Sequence, residues 1–288
     1  MSSRSMPLLA QRAKLTVQDV TAVVPARNAA ALLPECLEAL RSSGLAEVIV
    51  VDGCSTDQTV SIARSFGARV LSDGGRGLPV ARAMGAKSAS SQLVLLCDAD
   101  VVFPPGGVDN LLREYLKGSY AGLQADQLSE SGPGYWGQAL VHHHRTGRSR
   151  RWFGLVASLF DRKELLSVGF DPDFVSGEDI ELRWRLRELG RPTAVSHDVA
   201  VRHRYAGDDW AFARDQFLMD GFGLGRMMHK HGIHGLRLAA LPLAAGLRGV
   251  VLDAAHLNGR YIPYFGAFVW FNYMGMLRAL RDTPKSEP

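Results

Sequence analysis

Three short apolar runs in the first hundred residues, 20–24 (VTAVV), 47–51 (EVIVV) and 93–97 (LVLLC), constrain the fold more than any other feature of the chain. Runs of this length, rich in β-branched residues and bounded by polar ones, read as buried strands. Helical patterns lie between them. Pro34 fits the first turn of a helix with Leu37 and Leu40 on one face, and residues 56–66 continue the alternation. A short strand at 69–71, a glycine turn (Gly74, Gly75, Gly77) and a helix to about residue 90 follow. Such alternation predicts an α/β fold, a mostly parallel sheet with helices on both faces. Ligands of such sheets bind beyond the carboxyl ends of the strands. Here those ends carry Pro25-Ala26-Arg27-Asn28, Asp52-Gly53 and Asp98-Ala99-Asp100, so polar groups from three segments converge on one rim.

With 47% hydrophobic and 22% charged residues, the 288-residue chain is an ordinary globular one, neither disordered nor collagen-like. A net charge of +4 is small for a dedicated nucleic-acid binder, and no nucleic-acid partner is expected. Cys36, Cys54 and Cys97 form neither a disulfide framework nor a zinc pattern. They suit a reducing cytoplasm. The apolar patch at 6–10 is too short for a signal-peptide core, so residues 1–18 read as a disordered leader.

Asp98 and Asp100, two carboxylates flanking one residue at a strand end, can share a divalent cation, and hard oxygen ligands suit Mg²⁺ or Mn²⁺. The plain alternative is a polar loop with a helix cap. Asp52 can accept hydrogen bonds from a base or a ribose, whereas Asp57 reads as a cap of its own helix or turn. Ser176-Gly-Glu178-Asp179 has the form of a helix N-cap box before an amphipathic helix that Gly190 stops. On spacing alone, Asp179 is either part of that cap or a general base. Residues 153–160 and 193–201 read as further strands, and 132–151, with His142, His143, His144 and then Arg145, Arg148, Arg150 and Arg151, as a long loop or irregular crossover. The histidines lack metal-ligand spacing on a helix. The arginines are either a phosphate-holding run or a solvated basic loop.

Taken in order, Pro25-Ala-Arg27-Asn28, Asp52-Gly-Cys-Ser55-Thr-Asp57, Gly75-Arg76-Gly77 with Arg82 and Gly85, Asp98-Ala-Asp100 and Glu178-Asp179 before a helix of the form LxxRLRxxG resemble the family 2 glycosyltransferases of the GT-A fold. The resemblance covers about residues 20 to 205. It implies a nucleoside-diphosphate-sugar donor of the UDP, GDP or dTDP type, a divalent metal, a hydroxyl acceptor and inversion at the anomeric carbon. It places Pro25, Ala26, Arg27, Asp52, Gly53 and Gly75 at the nucleoside pocket, with Arg76 near the base or ribose. Asp98, Ala99 and Asp100 match the metal and diphosphate motif, and Asp179 the catalytic base, with Glu178 as its neighbouring rival. His203 is the candidate third metal ligand and His197 its rival. Ala29 and Ala30 stand where an acid is frequent, Gly53 replaces a frequent second Asp, and Cys54 stands where glycine is usual. The Gln-x-x-Arg-Trp signature of processive members is absent, although Arg214-Asp-Gln-Phe occupies a comparable region, so a single addition is expected. Rival readings are a nucleotidyltransferase, a haloacid-dehalogenase-like phosphatase, or a binding module that keeps the pocket without turnover.

The expected organisation is a catalytic domain over 19–205, with a nucleotide-binding half at 19–105 and an acceptor half at 106–205, followed by an apolar helical region at 206–288. Within that region 261–277 holds 17 residues without a charge, near the lower limit of a membrane span. From 233 to 288 there are six basic and three acidic residues, and Arg237 and Arg248 are spaced to share a helical face. Such a tail fits a peripheral contact with the cytoplasmic membrane face, a homo-oligomer interface or a helical cap on the core. The first of these suggests a lipid-linked or envelope-glycan acceptor.

Overall fold

The computed structural model describes residues 14–147, 152–255 and 259–282. Of the leader expected at 1–18, residues 1–13 lie outside the described residues, as do Arg148, Arg150 and Arg151 of the basic run. The expectation of disorder is corrected at 14–18, where Leu15 and Val17 pack against the core of the first unit and Val17 opens a 3₁₀ turn. Eight strands are described: β1 (Val20–Ala26), β2 (Glu47–Asp52), β3 (Arg69–Ser72), β4 (Leu93–Cys97), β5 (Val101–Val102), β6 (Gly122–Glu130), β7 (Ala157–Asp161) and β8 (Thr193–Arg204). The helices are α1 (Leu33–Ser42), α2 (Thr59–Ser65), α3 (Leu78–Ser88), α4 (Gly107–Lys117), α5 (Tyr135–Thr146), α6 (Arg162–Val168), α7 (Glu178–Glu188), α8 (Trp210–His231), α9 (Ile233–Leu236), α10 (Leu241–Ala255) and α11 (Ile262–Arg281). The chain forms two compact units. The first comprises the described residues of Met1–Leu128, Arg151–Pro172 and Leu182–Arg204, and the second those of Ser129–Arg150, Asp173–Glu181 and Tyr205–Pro288.

The first unit is built on one sheet of order β3-β2-β1-β4-β7-β6-β8-β5. Its strand residues alternate between two apolar layers, as the two-residue repeat of a strand requires. Val20, Ala22 and Val24 of β1 face a layer with Leu33, Leu37 and Leu40 of α1 and Leu111 and Leu112 of α4. Val23, Ile49, Val51 and Leu96 face the other, with Ala81 and Ala86 of α3. The pairings of β1 with β2 and β4, and of β2 with β3, are parallel. The α/β reading therefore holds, but the sheet is mixed rather than mostly parallel. β7 runs antiparallel to β4, β6 to β7 and β5 to β8. The parallel part ends where the strand-helix-strand rhythm of the sequence ends, because only parallel neighbours need a crossover.

Helix α3 approaches β1 closely, and Gly85 permits it. A Cβ built on Gly85 would lie 2.2 Å from Cγ1 of Val23. One turn earlier, Arg82 is buried with its guanidinium 2.7 Å from Asp98 at the end of β4.

The second unit is helical and rich in aromatic side chains. Ala139 and Leu140 of α5, Ala213 and Phe217 of α8, and Tyr261, Tyr264 and Phe265 form its core. The expectation of a loop across 132–151 is therefore corrected. Gly134 starts α5 and Gly147 ends it, and its buried face is carried by Gly137, Ala139 and Leu140. On that helix the three consecutive histidines point in three directions, each about 100° from the last. His142 lies 3.7 Å from Asp253, His143 reaches the Tyr264 hydroxyl at 3.2 Å, and His144 meets both Ser129 (2.9 Å) and Tyr205 (3.0 Å). Burial holds the His143 imidazole neutral, at about 4 against a normal 6.5, with His142 and Arg248 adding to the effect.

Helices α8 and α11 meet along a seam of small residues. A Cβ on Gly221 would lie 2.0 Å from the Asn272 carbonyl, and one on Gly275 2.2 Å from that of Leu218. The charge-free run at 261–277 thus supplies packing for α8, burying Tyr264, Phe265, Asn272 and Met276. Among the described residues, the segment long and apolar enough to cross a membrane is instead Ile233–Ala255. Arg237 and Arg248 do not share a helix, since Arg237 lies in a 3₁₀ turn and Arg248, in α10, donates to the Thr146 carbonyl at 2.8 Å.

Gly85→Ala should cost about 1–3 kcal/mol through overpacking of the α3–β1 contact. Urea denaturation, read as a lowered midpoint at unchanged slope, measures it.

Candidate active site

The carboxyl ends of β1 and β2 and the turn after β3 enclose a cavity of about 250 Å³ in the first unit. Pro25, Ala26, Arg27, Gly53 and Gly75 line it, joined by Val51, Asp73, Gly77, Leu78 and Ala81. Five of the expected donor-pocket residues are therefore brought together, because β1 pairs in register with β2, Ala26 opposite Asp52.

Two further expected residues take different places. Asp52 is buried, and its carboxylate accepts from the Ser55 backbone at 3.2 and 3.3 Å. It shapes the turn behind Gly53. Arg76 is exposed and donates to the Asp73 carbonyl at 2.7 Å. Neither is among the residues lining the cavity.

Asp73 was missed in the sequence, although it organises the glycine turn. It is buried, and its carboxylate accepts from the backbone of Gly75 at 2.7 Å and of Gly77 at 3.1 Å. The glycine-rich turn thus wraps an internal carboxylate, so these N–H groups are committed to the protein rather than to a phosphate. The Asp-Gly-Gly-x-Gly spacing was the available signal, because an Asp can bond its backbone two residues on.

A second web ties the loop after β1 to the loop after β2. The Asn28 backbone donates to Ser55 (2.9 Å), that of Ala29 to Thr59 (2.8 Å) and that of Ala30 to Asp57 (3.1 Å), while Asn28 accepts from the Thr56 backbone (2.9 Å). Ala29 and Ala30 act here through their main chain. Asp57 is a structural cap, as expected, and its hydrogen bond with the Thr59 hydroxyl leads the effects that hold its carboxyl below the ordinary range. Cys54 has φ of +61°, a left-handed conformation at the position where the resemblance expects glycine.

Asp98, Asp100 and His203 are also brought together in this unit. The antiparallel pairing of Val101 with His203 sets the imidazole beside Asp100, with 3.4 Å between Nε2 and Oδ2. The Asp100 carbonyl accepts from the Arg204 backbone at 3.0 Å, and the other ring nitrogen of His203 meets Gln127 at 3.2 Å. Burial pushes the Asp98 carboxyl up, the buried Arg82 opposes this, and the charge of Asp100 adds to the rise. Burial favours neutral His203, yet its bond to Asp100 and the charges of both aspartates outweigh it and leave the imidazole more basic than usual.

Among the described residues, no group of three His, Cys, Asp or Glu side chains is already converged on a metal position. The donor set nevertheless fits one. Asp100 Oδ1 is buried without a hydrogen-bond partner, and the two carboxylates suit Mn²⁺ or Mg²⁺. His197, the rival ligand, is exposed on β8, with its backbone bonded to Glu114.

Glu178 and Asp179 open α7, in the second unit. Glu178 is buried and Asp179 partly exposed. The helix begins at Glu178, one residue beyond the start a Ser176 cap would give. The Ser176 hydroxyl donates to the Met219 carbonyl of α8 at 2.8 Å, and Gly177 turns the chain with φ of +79°. Arg145 lies on the wall of an open cavity of about 690 Å³ with Ser129, Glu130 and His142.

Residues 21–171 match the family model described as glycosyl transferase family 2. An uncharacterized glycosyltransferase of Mycobacterium tuberculosis is 34% identical over 237 residues, covering 82% of this chain and 84% of that one. The 4,4'-diaponeurosporenoate glycosyltransferase of Staphylococcus haemolyticus is 31% identical over 121 residues, which are 39% of this chain. The match spans about a third (32%) of that relative's length. Among solved structures, a mannosyltransferase from Pyrobaculum calidifontis in complex with GDP-Man and Mn²⁺ superposes with a TM-score of 0.66 at 18% identity, covering 96% of this chain and 94% of the other.

Replacing Cys54 by glycine should raise stability by about 1 kcal/mol, because the left-handed conformation strains any side chain. Thermal unfolding of C54G against the parent checks this.

Proposed function

We propose a reaction for this chain from the premise that it belongs to glycosyl transferase family 2 and is therefore a glycosyltransferase. Membership sets aside the nucleotidyltransferase and phosphatase alternatives. The proposed reaction moves a sugar from a nucleoside diphosphate to an acceptor hydroxyl with inversion. One observation carries it. The carboxylate pair Asp98 and Asp100, with His203, stands at the end of β4, and the cavity of about 250 Å³ opens at the end of the adjoining strand β1.

In this reading Pro25, Arg27, Gly53 and Gly75 enclose the nucleoside, and Asp98, Asp100 and His203 would hold Mn²⁺ or Mg²⁺. When bound, such a cation neutralises the charge that develops on a diphosphate leaving group. Asp179 takes the proton of the acceptor hydroxyl as its oxygen attacks the anomeric carbon opposite the diphosphate. Its place in the first turn of α7 stabilises the carboxylate form. The P. calidifontis mannosyltransferase, with its GDP-Man and Mn²⁺, supports a nucleotide-sugar donor and a divalent metal.

We further take the acceptor to be lipid-linked and the enzyme to work at the cytoplasmic face of a membrane. Ile233 is 78% exposed, and Leu247, Val251 and Trp270 are also exposed on the C-terminal helices. Apolar side chains of this kind, with Arg237 and Arg260 nearby in sequence, suit a lipid surface carrying anionic headgroups.

A thermal-shift panel of UDP, GDP, dTDP, CDP and ATP, each with and without Mn²⁺, tests the donor site. A ligand that binds only the folded state raises its apparent stability. One nucleoside diphosphate should shift the midpoint in a metal-dependent way, and no shift with any of them at millimolar concentration would overturn the reading. For the surface, the protein should sediment with vesicles containing phosphatidylglycerol and less with vesicles of phosphatidylcholine alone. Replacing Ile233, Leu247 and Val251 together by serine should abolish sedimentation. A parent that stays in the supernatant while running as a dimer would assign the apolar face to a second copy instead.

A further inference from the structure

Asp220, on α8, belongs to no motif and to none of the roles above. Its surroundings tie it to the loop that presents Asp179. The neighbouring Met219 carbonyl accepts from the Ser176 hydroxyl, three residues before Asp179. One turn on, Gly223 touches the same loop main chain to main chain, since a Cβ there would lie 3.0 Å from both the nitrogen and the Cα of Gly177. Lys230 continues the clamp, pairing with the buried Glu181 of α7 at 2.6 Å and lying over the Phe174 ring at 5.3 Å. Helix α8 thus grips the segment from Phe174 to Glu181 at three successive places, and Asp220 lies between the first two.

The charged and titratable groups that reach Asp220 are few. Gln216, on α8 itself, donates to its Oδ1 at 3.3 Å. Asp179 faces it from α7 with a like charge. Tyr264 faces it from α11, and burial first, then the charges of Asp220 and Tyr205, keeps that phenol protonated. His143 of α5 stands behind the Tyr264 hydroxyl and is neutral. Asp220 is exposed to solvent as a residue, yet the protein packed around its carboxylate strips part of its hydration. That desolvation, with the Asp179 charge added, raises its carboxyl to about 7.

We propose that Asp220 is a positioning residue for the base, and that Asp179 and Asp220 form an electrostatically coupled pair which takes up one proton from the acceptor. The proposal rests on the reading of Asp179 as base. Two neighbouring carboxylates resist ionising together, so the doubly charged pair binds its first proton more tightly than a lone carboxylate does. A general base works best when its proton affinity is matched to the working pH. As the acceptor oxygen bonds to the anomeric carbon, the bond from that carbon to the diphosphate oxygen breaks. The hydroxyl proton passes to Asp179, where the charge of Asp220 helps retain it.

Carboxyl-carbon NMR of the ¹³C-aspartate-labelled full chain reads the coupling without substrate. One carboxyl should titrate near 7 in the parent and vanish in Asp220→Asn. In Asp179→Asn its midpoint should fall by at least half a pH unit. A midpoint that D179N leaves unmoved overturns the proposal. Hydrolysis of UDP-glucose or GDP-mannose, with water as acceptor, supplies the second readout. The acid limb of kcat/KM should move down by about one pH unit or more in D220N, and Asp220→Glu should restore the parent limb. An unmoved limb in a D220N protein with parental circular dichroism also overturns it. If D179N hydrolyses donor at the parental rate, the base reading fails, whatever the NMR shows of the coupling.

Discussion

The ion pair between Arg82 and Asp98 organises the first unit. Its guanidinium is almost fully buried, so it cannot be left without a partner at low cost. Meeting Asp98 requires α3 to lie close on the sheet, and Gly85, one turn along, removes the side chain that would prevent it. With α3 seated there, its first residues Leu78 and Ala81 become one wall of the cavity, and the turn wrapped around Asp73 becomes another. The same contact holds one carboxylate of the pair at the strand end while Asp100 turns toward His203. Cavity and carboxylate pair are thus two results of one packing decision.

The electrostatics of that rim are balanced without any ligand. Asp98 and Asp100 repel, and Arg82 and His203 offset them from two sides. Arginine is a fixed charge, whereas histidine answers to its surroundings. In the proposed reading a divalent ion would compete with the His203 proton for the same carboxylates, which would link metal affinity to protonation.

Much of this was legible in the sequence, and the reasons it failed elsewhere are local. Three apolar runs gave three strands to within two residues, because β-branched residues between polar ends have few other uses. His203, which the resemblance singled out, lies within β8 beside Asp100, because the strand runs on past residue 201 to pair with β5. Helix α5 was missed because its buried face rests on Gly137, Ala139 and Leu140, while the eye falls on three histidines and the arginines after them. Arg76, which the resemblance puts near the base or ribose, donates instead to the Asp73 carbonyl and does not line the cavity. Asp220 left no pattern at all. Its role comes from Gly177 and Gly223 touching across the fold, which no local spacing records.

The glycine seam has a consequence for the order in which the protein becomes competent. Gly221 and Gly275 let two backbones touch, so α8 has no complete face until α11 is in place. Helix α8 in turn holds the loop that carries Asp179. During synthesis the cavity can therefore assemble once Asp98 has followed β4 and met Arg82, while the loop that carries Asp179 must wait for a helix made much later. The cavity of the first unit and the loop of the second thus mature in a fixed sequence, set by how far apart along the chain their supports lie.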